Sequence, residues 1–468
     1  MVRKSVLLAL LLLPVALASG VRAAPTAWDK PTITSDTTWS GDIVIGQNVV
    51  VTSGATLRIA PGTNVLVESG KGIVITVLGR LVVAGKGAGT VSFIPEKAGG
   101  SRDQWEGIRL AGGRNAGHSL AGFRVSGARE GVSLADTAAK FADGVFTGCE
   151  TGVRGNQKSL LTADNCAFDG NGDGAVVSLG GEGVFRDCRF TNIRNNGIVV
   201  DKGAILRVTG GDFAFGKTGI FSLTNTPCRI EDSAFRSLEK GIVARQMGRN
   251  SALVRCVFEN DDAGLLAVQN SSLEVTDSVF LGNRSGAEVQ EFSSPSIRNN
   301  RFERNQVAVS VIRKSRPLVG NNVFYHNRTA LVVNYSSYPR ILGNNFDRND
   351  MSVRLEKFQS GDWEERVGSR QITGAEIARR APPDRGMANA LQEYPVSRRI
   401  DARGNFWGPD PERDAAAGTL GKIRDGKKFG PVRYEGSDGE YAVDVVDFTE
   451  ESATPFPDAG PRPSGLNR

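Results

Sequence analysis

Residues 277–305 read DSVFLGNRSGAEVQEFSSPSIRNNRFERN and contain one unit of a repeat together with the start of the next. Phe280 and Phe302 lie 22 residues apart in this stretch, and a phenylalanine recurs every 22 or 23 residues far beyond it. The full series is Phe123, Phe146, Phe168, Phe190, Phe213, Phe235, Phe258, Phe280, Phe302, Phe324 and Phe346. A fixed period of this kind is the sequence signature of a solenoid.

Polar and glycine residues follow the same period. Asparagines stand three positions after the phenylalanine at Asn171, Asn283, Asn305, Asn327 and Asn349, and Asp or Asn stands three before it at Asp143, Asn165, Asp187, Asp232, Asp277, Asn299 and Asn321. Glycines stand six positions after it at Gly152, Gly174, Gly219, Gly241, Gly264 and Gly286. These residue types mark turns, and stacked Asn and Asp side chains can satisfy turn backbone groups.

Short alternating apolar runs separate the turns, which predicts short strands. Helical repeats need units of roughly 33 to 47 residues, longer than the unit found here. The sequence therefore predicts an all-β parallel β-helix of roughly a dozen rungs, each rung being one 22–23-residue turn of the solenoid. The phenylalanines would stack about 4.8 Å apart in its core.

The N-terminal segment 1–23 has the composition of a secretory signal peptide. Arg3 and Lys4 precede an apolar run from Val6 to Ala18, and Val21-Arg22-Ala23 resembles a cleavage site. The apolar run is too short to predict a membrane span. We therefore expect a protein exported to the periplasm or the cell exterior, with no membrane span.

The remaining chain divides into five segments. Residues 24–40 form a Pro/Thr-rich lead, 41–354 the β-helix, 355–399 a charged insertion, 400–449 a terminal rung with a C-terminal cap, and 450–468 a Pro-, Ser- and Gly-rich tail expected to be disordered. Within the insertion, Thr373–Arg380 and Met387–Leu391 have the composition of short helices. The insertion could cap the solenoid end or form a lid over a binding face.

The formal net charge is +6, and the basic excess is local: the stretch 283–354 holds eleven Lys or Arg against five Asp or Glu. In an exported protein this favours an anionic glycan or an acidic protein surface over nucleic acid. The five cysteines include Cys166, Cys188 and Cys256 in one column, which leaves open small core residues, a Cys166–Cys188 disulfide or a metal site. With two histidines in the chain, metal ligands are scarce, and we expect no metal or other cofactor.

Four further stretches carry a family resemblance. The segments Ala55–Thr63, Leu78–Leu81 and Trp105–Ile108, together with Gly404–Gly408, resemble bacterial secreted right-handed β-helix proteins of the pectate-lyase-like superfamily. That group includes periplasmic accessory β-helix proteins of nitrous oxide reductase maturation. The resemblance implies a right-handed solenoid. It implies no single activity, because the superfamily holds lyases, hydrolases, epimerases, adhesins and assembly factors.

A first candidate site is catalytic and lies four residues after the phenylalanines. Glu239 and Asp262 would sit one rung apart, flanked by Lys217 and Arg284. Close carboxylates raise one pKa and flanking cations lower both, which is how acid/base pairs arise. Alternating charges on a solvated ladder have the same pattern. The set of Asn-Thr-Asp, Asp-Asp, His-Gly and Arg-Ile-Lys motifs of the polygalacturonase type is not found, and Asp261-Asp262 alone is too weak a match.

A second candidate site is a binding surface. Guanidinium groups bind carboxylates or sulfates, and exposed aromatic rings offer apolar faces to sugars. The residues are Arg313, Lys314, Arg316, Arg340, Tyr335 and Tyr338.

The sequence favours an exported non-catalytic scaffold or binding protein that presents a long face to glycan or to an envelope protein partner. Two alternatives remain: a polysaccharide lyase or glycoside hydrolase using the carboxylate and cation column, and an envelope metalloprotein maturation factor. The oligomeric state does not follow from the sequence.

Overall fold

The structure, a computed structural model, describes residues 24–85, 89–97, 99, 102–224, 226–366, 396–408, 432–435, 441–442 and 444–462. The predicted signal peptide and the predicted helices at Thr373–Arg380 and Met387–Leu391 lie outside these residues. No helix in the described part of the chain is long and apolar enough to cross a membrane.

The described strands form three parallel sheets that the chain visits in turn, which confirms the predicted parallel β-helix. Sheet A contains Thr26–Trp28, Asp42–Ile45, Asn64–Val67, Val91–Pro95, Phe123–Ser126, Val145–Thr147, Ala167–Asp169, Arg189–Thr191, Asp212–Ala214, Ala234–Arg236, Val257–Glu259, Val279–Leu281, Arg301–Glu303, Val323–Tyr325 and Asn345–Asp347.

Sheet B contains Thr32–Ile33, Val49–Val51, Val74–Val77, Trp105–Leu110, Ala128–Ala135, Thr151–Asn156, Asp173–Val177, Asn196–Val200, Thr218–Ser222, Lys240–Arg245, Ala263–Val268, Ser285–Val289, Val307–Val311, Thr329–Val333, Val353–Glu356 and Val432–Glu435. Sheet C contains Thr37–Trp39, Thr56–Ile59, Arg80–Ala84, His118–Ala121, Ala138–Ala142, Leu160–Asp164, Glu182–Arg186, Ile205–Thr209, Cys228–Glu231, Ala252–Val254, Glu274–Thr276, Ser296–Arg298, Leu318–Gly320, Arg340–Leu342, Arg399–Asp401 and Val445–Asp447.

The phenylalanine column forms the centre of the core, as predicted. From Phe146 to Phe346 the rings stack in succession with centroids 4.6–5.1 Å apart and planes within 10° of parallel. Phe123 stands outside this stack, because its ring meets Phe146 edge-on at 83°. At the far end Trp407 continues the stack, with its ring centroid 4.5 Å from that of Phe346.

Two asparagine ladders line the turns from inside. The first ladder lies in the turn between sheets A and B and contains Asn283, Asn305 and Asn327. The main-chain N–H of each donates to the side-chain oxygen of the asparagine one rung further along, and its side-chain amide donates to a main-chain carbonyl. The second ladder lies between sheets C and A and consists of Asn300, Asn322, Asn344 and Asn405. The Asp and Asn column predicted three residues before each phenylalanine lies one residue before this second ladder. Asp277 and Asn299 in that column have positive φ, so these residues adopt the left-handed backbone conformation of the turn and are not members of the ladder.

The N-terminal lead 24–40 already contains strands: Thr26–Trp28, Thr32–Ile33 and Thr37–Trp39 pair with the following rung. The rungs therefore begin before residue 41, where the sequence had placed the start of the β-helix. Trp28 and Trp39 meet edge-on at 5.2 Å at this end of the solenoid.

A short helix, α1 (Gly361–Arg366), follows the strand Val353–Glu356 in the segment expected as an insertion. Glu364 of α1 is buried and forms an ion pair with the buried Lys314 at 2.6 Å. Asp444 accepts hydrogen bonds from the Tyr338 hydroxyl at 3.0 Å and from the main chain of Gly361 at 2.7 Å. Burial raises the pKa of the Asp444 carboxyl. These contacts anchor α1 to the last rungs.

The described part of the tail makes specific contacts with the β-helix, unlike the disordered segment expected from its composition. The main chain of Phe456 exchanges two hydrogen bonds of 2.8 Å with the side chain of Asn345. Gly460 donates to the carbonyl of Asn321 at 2.8 Å, and Arg462 pairs with Asp277 at 3.2 Å. The tail thus runs back along earlier rungs as far as Arg462.

Candidate functional site

The predicted catalytic column lies in the turns that join sheet A to sheet B. Asp262 pairs with Arg284 and with Lys240, and the hydrogen bond from Arg284 lowers the pKa of the Asp262 carboxyl. Glu239 and Lys217 are exposed and have no ion pair among the described residues. A carboxyl with a lowered pKa is a poor general acid near neutral pH. Asp262, Arg284 and Lys240 therefore form an ion-paired surface cluster, and Glu239 and Lys217 are not part of it.

The predicted binding residues divide between the surface and the interior. Lys314 and Tyr338 are buried, only 3% and 6% exposed, so these two side chains do not present a surface to a ligand. Arg316 lies over the Tyr338 ring at 5.9 Å. Arg313 and Arg340 are exposed but pair with Glu291 and Asp401.

Tyr335 belongs to an aromatic cluster beside α1. Its ring stacks on Phe358 at 5.1 Å and meets Trp363 edge-on at 5.9 Å, while Phe358 and Trp363 lie 4.9 Å apart. Tyr335 and Phe358 are half-buried and Trp363 is buried, and Tyr335 lines one end of a groove on the outer face of sheet B. The repeat pattern did not predict that Phe358 and Trp363 would contact Tyr335, because both lie beyond the last regular repeat.

This sheet B groove has a volume of about 380 Å³ and brings Arg284 and Tyr335 together, one residue from each candidate site. Its floor contains Val307, Ser310 and Val332 in adjacent strands, and Ile312 directly after the first of these strands. Small-ligand sites combine apolar surface with polar groups that orient the ligand, and this groove lies toward the polar side, since eight of its twelve lining residues are polar or charged.

The charges around the sheet B groove balance. Arg284 lies 3.8 Å from Glu288 at one end, and Arg354 donates to Glu356 at 3.0 Å at the other. Asn334 also donates to Glu356, at 2.7 Å. The rim therefore offers paired charges and amide groups and carries no net charge from these four ionisable side chains.

The two rim carboxylates are too far apart for glycoside hydrolysis by a carboxylate pair. Glu288 lies in the strand Ser285–Val289 and Glu356 in Val353–Glu356, which are three rungs apart. At about 4.8 Å per rung the separation along the axis is roughly 14 Å. Paired carboxylates in glycosidases lie about 5 to 9.5 Å apart.

Comparison with protein families gives two matches. Residues 187–379 match the family described as periplasmic copper-binding protein (NosD), and residues 101–214 match the family described as right handed beta helix region. No curated protein matches the chain.

The described residues do not fit a copper site. They contain no group of three or more His, Cys, Asp or Glu side chains placed to hold a metal ion. All five cysteines are free and buried, and burial raises the pKa of Cys149, Cys228 and Cys256 to about 12. Both ring nitrogens of His118 are engaged: Nδ1 accepts from the Leu81 N–H, and Nε2 bonds the Ala111 carbonyl.

The three parallel sheets, the phenylalanine stack and the two matches over residues 101–379 agree on one assignment. The chain belongs to the parallel β-helix repeat proteins, a group that includes NosD-like proteins.

Proposed function

We propose that this chain is an exported, periplasmic binding protein without catalytic activity, and that its sheet B groove holds a segment of a glycan chain. The observation that carries this proposal is the composition of the groove: a Val and Ile floor, paired rim charges and Tyr335 at one end. Sugar rings combine apolar faces with many hydroxyl groups, so they suit an apolar floor flanked by carboxylate and amide groups. The predicted signal peptide and the family match support the periplasmic location.

The test uses purified protein and a panel of neutral and acidic polysaccharides. Co-sedimentation reports binding, while new reducing ends and unsaturated uronate absorbance report cleavage. Ser310→Arg places a long side chain on the groove floor and should abolish binding. Ser133→Arg is a matched control, because Ser133 is also half-exposed on sheet B but lies far from the groove.

Two outcomes contradict the proposal. Equal loss of binding in the Ser310→Arg and Ser133→Arg variants would place the glycan elsewhere. Product formation that disappears in Glu239→Gln or Asp262→Asn would make the protein a polysaccharide-active enzyme that uses the ion-paired column.

The match over residues 187–379 supports a second candidate, a factor for maturation of an envelope copper protein. Since the described residues do not fit a copper site, such a factor would act by binding its protein partner rather than copper. Competition with a Cu(I)-specific chromophoric chelator tests this distinction. Retention of one equivalent of copper by the chain would show that it carries the metal itself.

A further inference from the structure

A second groove lies on the outer face of sheet C, toward the N-terminal end of the solenoid. The connection 111–117, between the strands Trp105–Leu110 and His118–Ala121, forms one of its walls. Arg114 in this connection donates a hydrogen bond to the carbonyl of Lys158, which belongs to a later turn. The groove between this connection and sheet C has a volume of about 390 Å³, and we call it the cationic groove.

Among the residues that the structure describes, three cations line the cationic groove and no carboxylate does. They are Arg80, Arg114 and Lys140. Arg80 donates from Nε to the Gly117 carbonyl at 3.2 Å, which fixes its guanidinium at the rim and uses one of its five N–H donors. Lys140 is exposed and lies on the floor side, in the strand Ala138–Ala142.

Hydroxyl groups flank Lys140 on both neighbouring strands. Ser119 is in register with Lys140 on one side, and Thr162 is in register with it on the other. Both are half-exposed and line the groove. Neighbouring strands lie about 4.8 Å apart, so one small anion centred near Lys140 would be within reach of both hydroxyls.

The absence of carboxylates here contrasts with the rest of this sheet. Farther along its outer face the arginines pair with acidic residues: Arg186 with Asp164, Arg207 with Glu182 and Arg298 with Glu274. Among the described residues, none of the three groove cations has a carboxylate within 4.0 Å. Three unneutralised cations around one concave space attract a counter-ion and make charge-assisted hydrogen bonds with it.

We propose that the cationic groove binds an oxyanion group, a sulfate ester or a uronate carboxylate, carried by a saccharide. Guanidinium groups match the planar or tetrahedral oxygens of such groups, and Ser119 and Thr162 add neutral donors. The site goes beyond the proposed function, because it lies on a different sheet from the sheet B groove. It would bind its ligand through unpaired positive charges, whereas the charges at the rim of the sheet B groove are paired.

Isothermal titration calorimetry with three probes, inorganic sulfate, inorganic phosphate and glucuronate, tests the site in a low-salt buffer. We expect saturable binding of at least one probe and a loss of at least tenfold in affinity in the double variant Arg80→Gln, Lys140→Gln. Arg124→Gln is the matched control, since Arg124 is an exposed arginine on sheet A with no ion pair among the described residues. It should change affinity by less than twofold.

The probes distinguish the two sources of the oxyanion. Preference for sulfate or phosphate assigns a sulfate-ester type of ligand, and preference for glucuronate assigns a uronate; either supports the site. If Arg124→Gln weakened probe affinity as much as the double variant, the loss would reflect the overall charge of the protein, and the proposal would be overturned. So would the absence of saturable binding for all three probes. Ser310→Arg should leave the binding of these probes unchanged, so failure here is separable from failure of the glycan groove.

Discussion

The main-chain N–H of Asp261 donates to the side-chain oxygen of Asn283, its counterpart one rung further along, at 2.9 Å. Asp261 thus occupies a position in the asparagine ladder with an acid in place of an amide. Its Oδ1 accepts from the Leu238 N–H at 2.9 Å, as a ladder asparagine would. Its Oδ2 is buried without a hydrogen-bond partner in the described structure, whereas Asn283 uses its amide nitrogen to reach the Phe258 carbonyl at 3.0 Å.

Replacing Asp261 with Asn should therefore stabilise the protein at pH 8. The amide supplies the donor that the ladder position requires and removes a buried charge, which together correspond to a gain of about 1–3 kcal/mol in the free energy of unfolding. Denaturant titration at pH 8 measures it. The reverse change, Asn283→Asp, is the control and should destabilise. A loss of stability in Asp261→Asn would mean that the carboxylate itself serves a purpose that the ladder does not explain.

The same residue should make stability depend on pH. Burial raises the pKa of the Asp261 carboxyl from 3.8 to about 7, so the folded state holds a proton that the unfolded state has released. The stability that this bound proton contributes is fully present below about pH 4 and is lost as the pH rises to about 7. Between these values the free energy of unfolding falls by up to about 1.4 kcal/mol per pH unit.

Other carboxylates act in the opposite direction. Arg255 and Arg284 lower the pKa of Asp232 and Asp262, whose contributions are lost as pH falls. The measurement is therefore the difference in unfolding free energy between wild type and Asp261→Asn at several values between pH 4 and 8. The advantage of the variant should grow with pH across this range. A constant difference would rule out titration of Asp261 in the folded state.

The phenylalanine stack should dominate the stability of the central rungs. Phe235 is fully buried, with neighbouring ring centroids at 4.8 and 4.9 Å, so Phe235→Ala should cost about 3–5 kcal/mol. Phe215 is 64% exposed, and Phe215→Ala should change stability by less than about 0.5 kcal/mol. Denaturant unfolding followed by far-UV circular dichroism compares the two. Similar losses of unfolding free energy in both variants would show that a phenylalanine in the stack stabilises the protein no more than an exposed one.

The sequence predicted the repeat and its core because both depend on residues at a fixed spacing. The ladder of Asn300 and Asn322 was not predicted. Cys166, Cys188 and Cys256 occupy the same column in earlier rungs, so the column as a whole does not show a run of asparagines. The sheet B groove could not be predicted either. It is lined by side chains that change from rung to rung, such as Ser310, Tyr335 and Arg354, and a repeat pattern carries no information about these variable positions.

The buried ion pair between Lys314 and Glu364 should control how firmly α1 is held on the solenoid. Glu364→Gln leaves a buried ammonium without its counter-charge, and removing one partner of a buried pair costs about 3–5 kcal/mol. Because the pair joins α1 to the last rungs, we expect faster amide hydrogen exchange in Gly361–Arg366 and Val353–Glu356, with little change in the central rungs. Glu365→Gln is the matched control, since Glu365 is exposed and pairs with the exposed Arg398.

A double variant separates the charge from the packing at the same position. Replacing both partners, Lys314→Met with Glu364→Leu, removes the two buried charges together, and such replacements are often neutral or stabilising. Exchange in α1 should then return close to the wild-type rate. If the double variant instead loosened α1 as much as Glu364→Gln, the unpaired ammonium would not be the cause. The carboxylate of Glu364, which also accepts a 3.1 Å hydrogen bond from Ser336, would then itself be required to hold the helix.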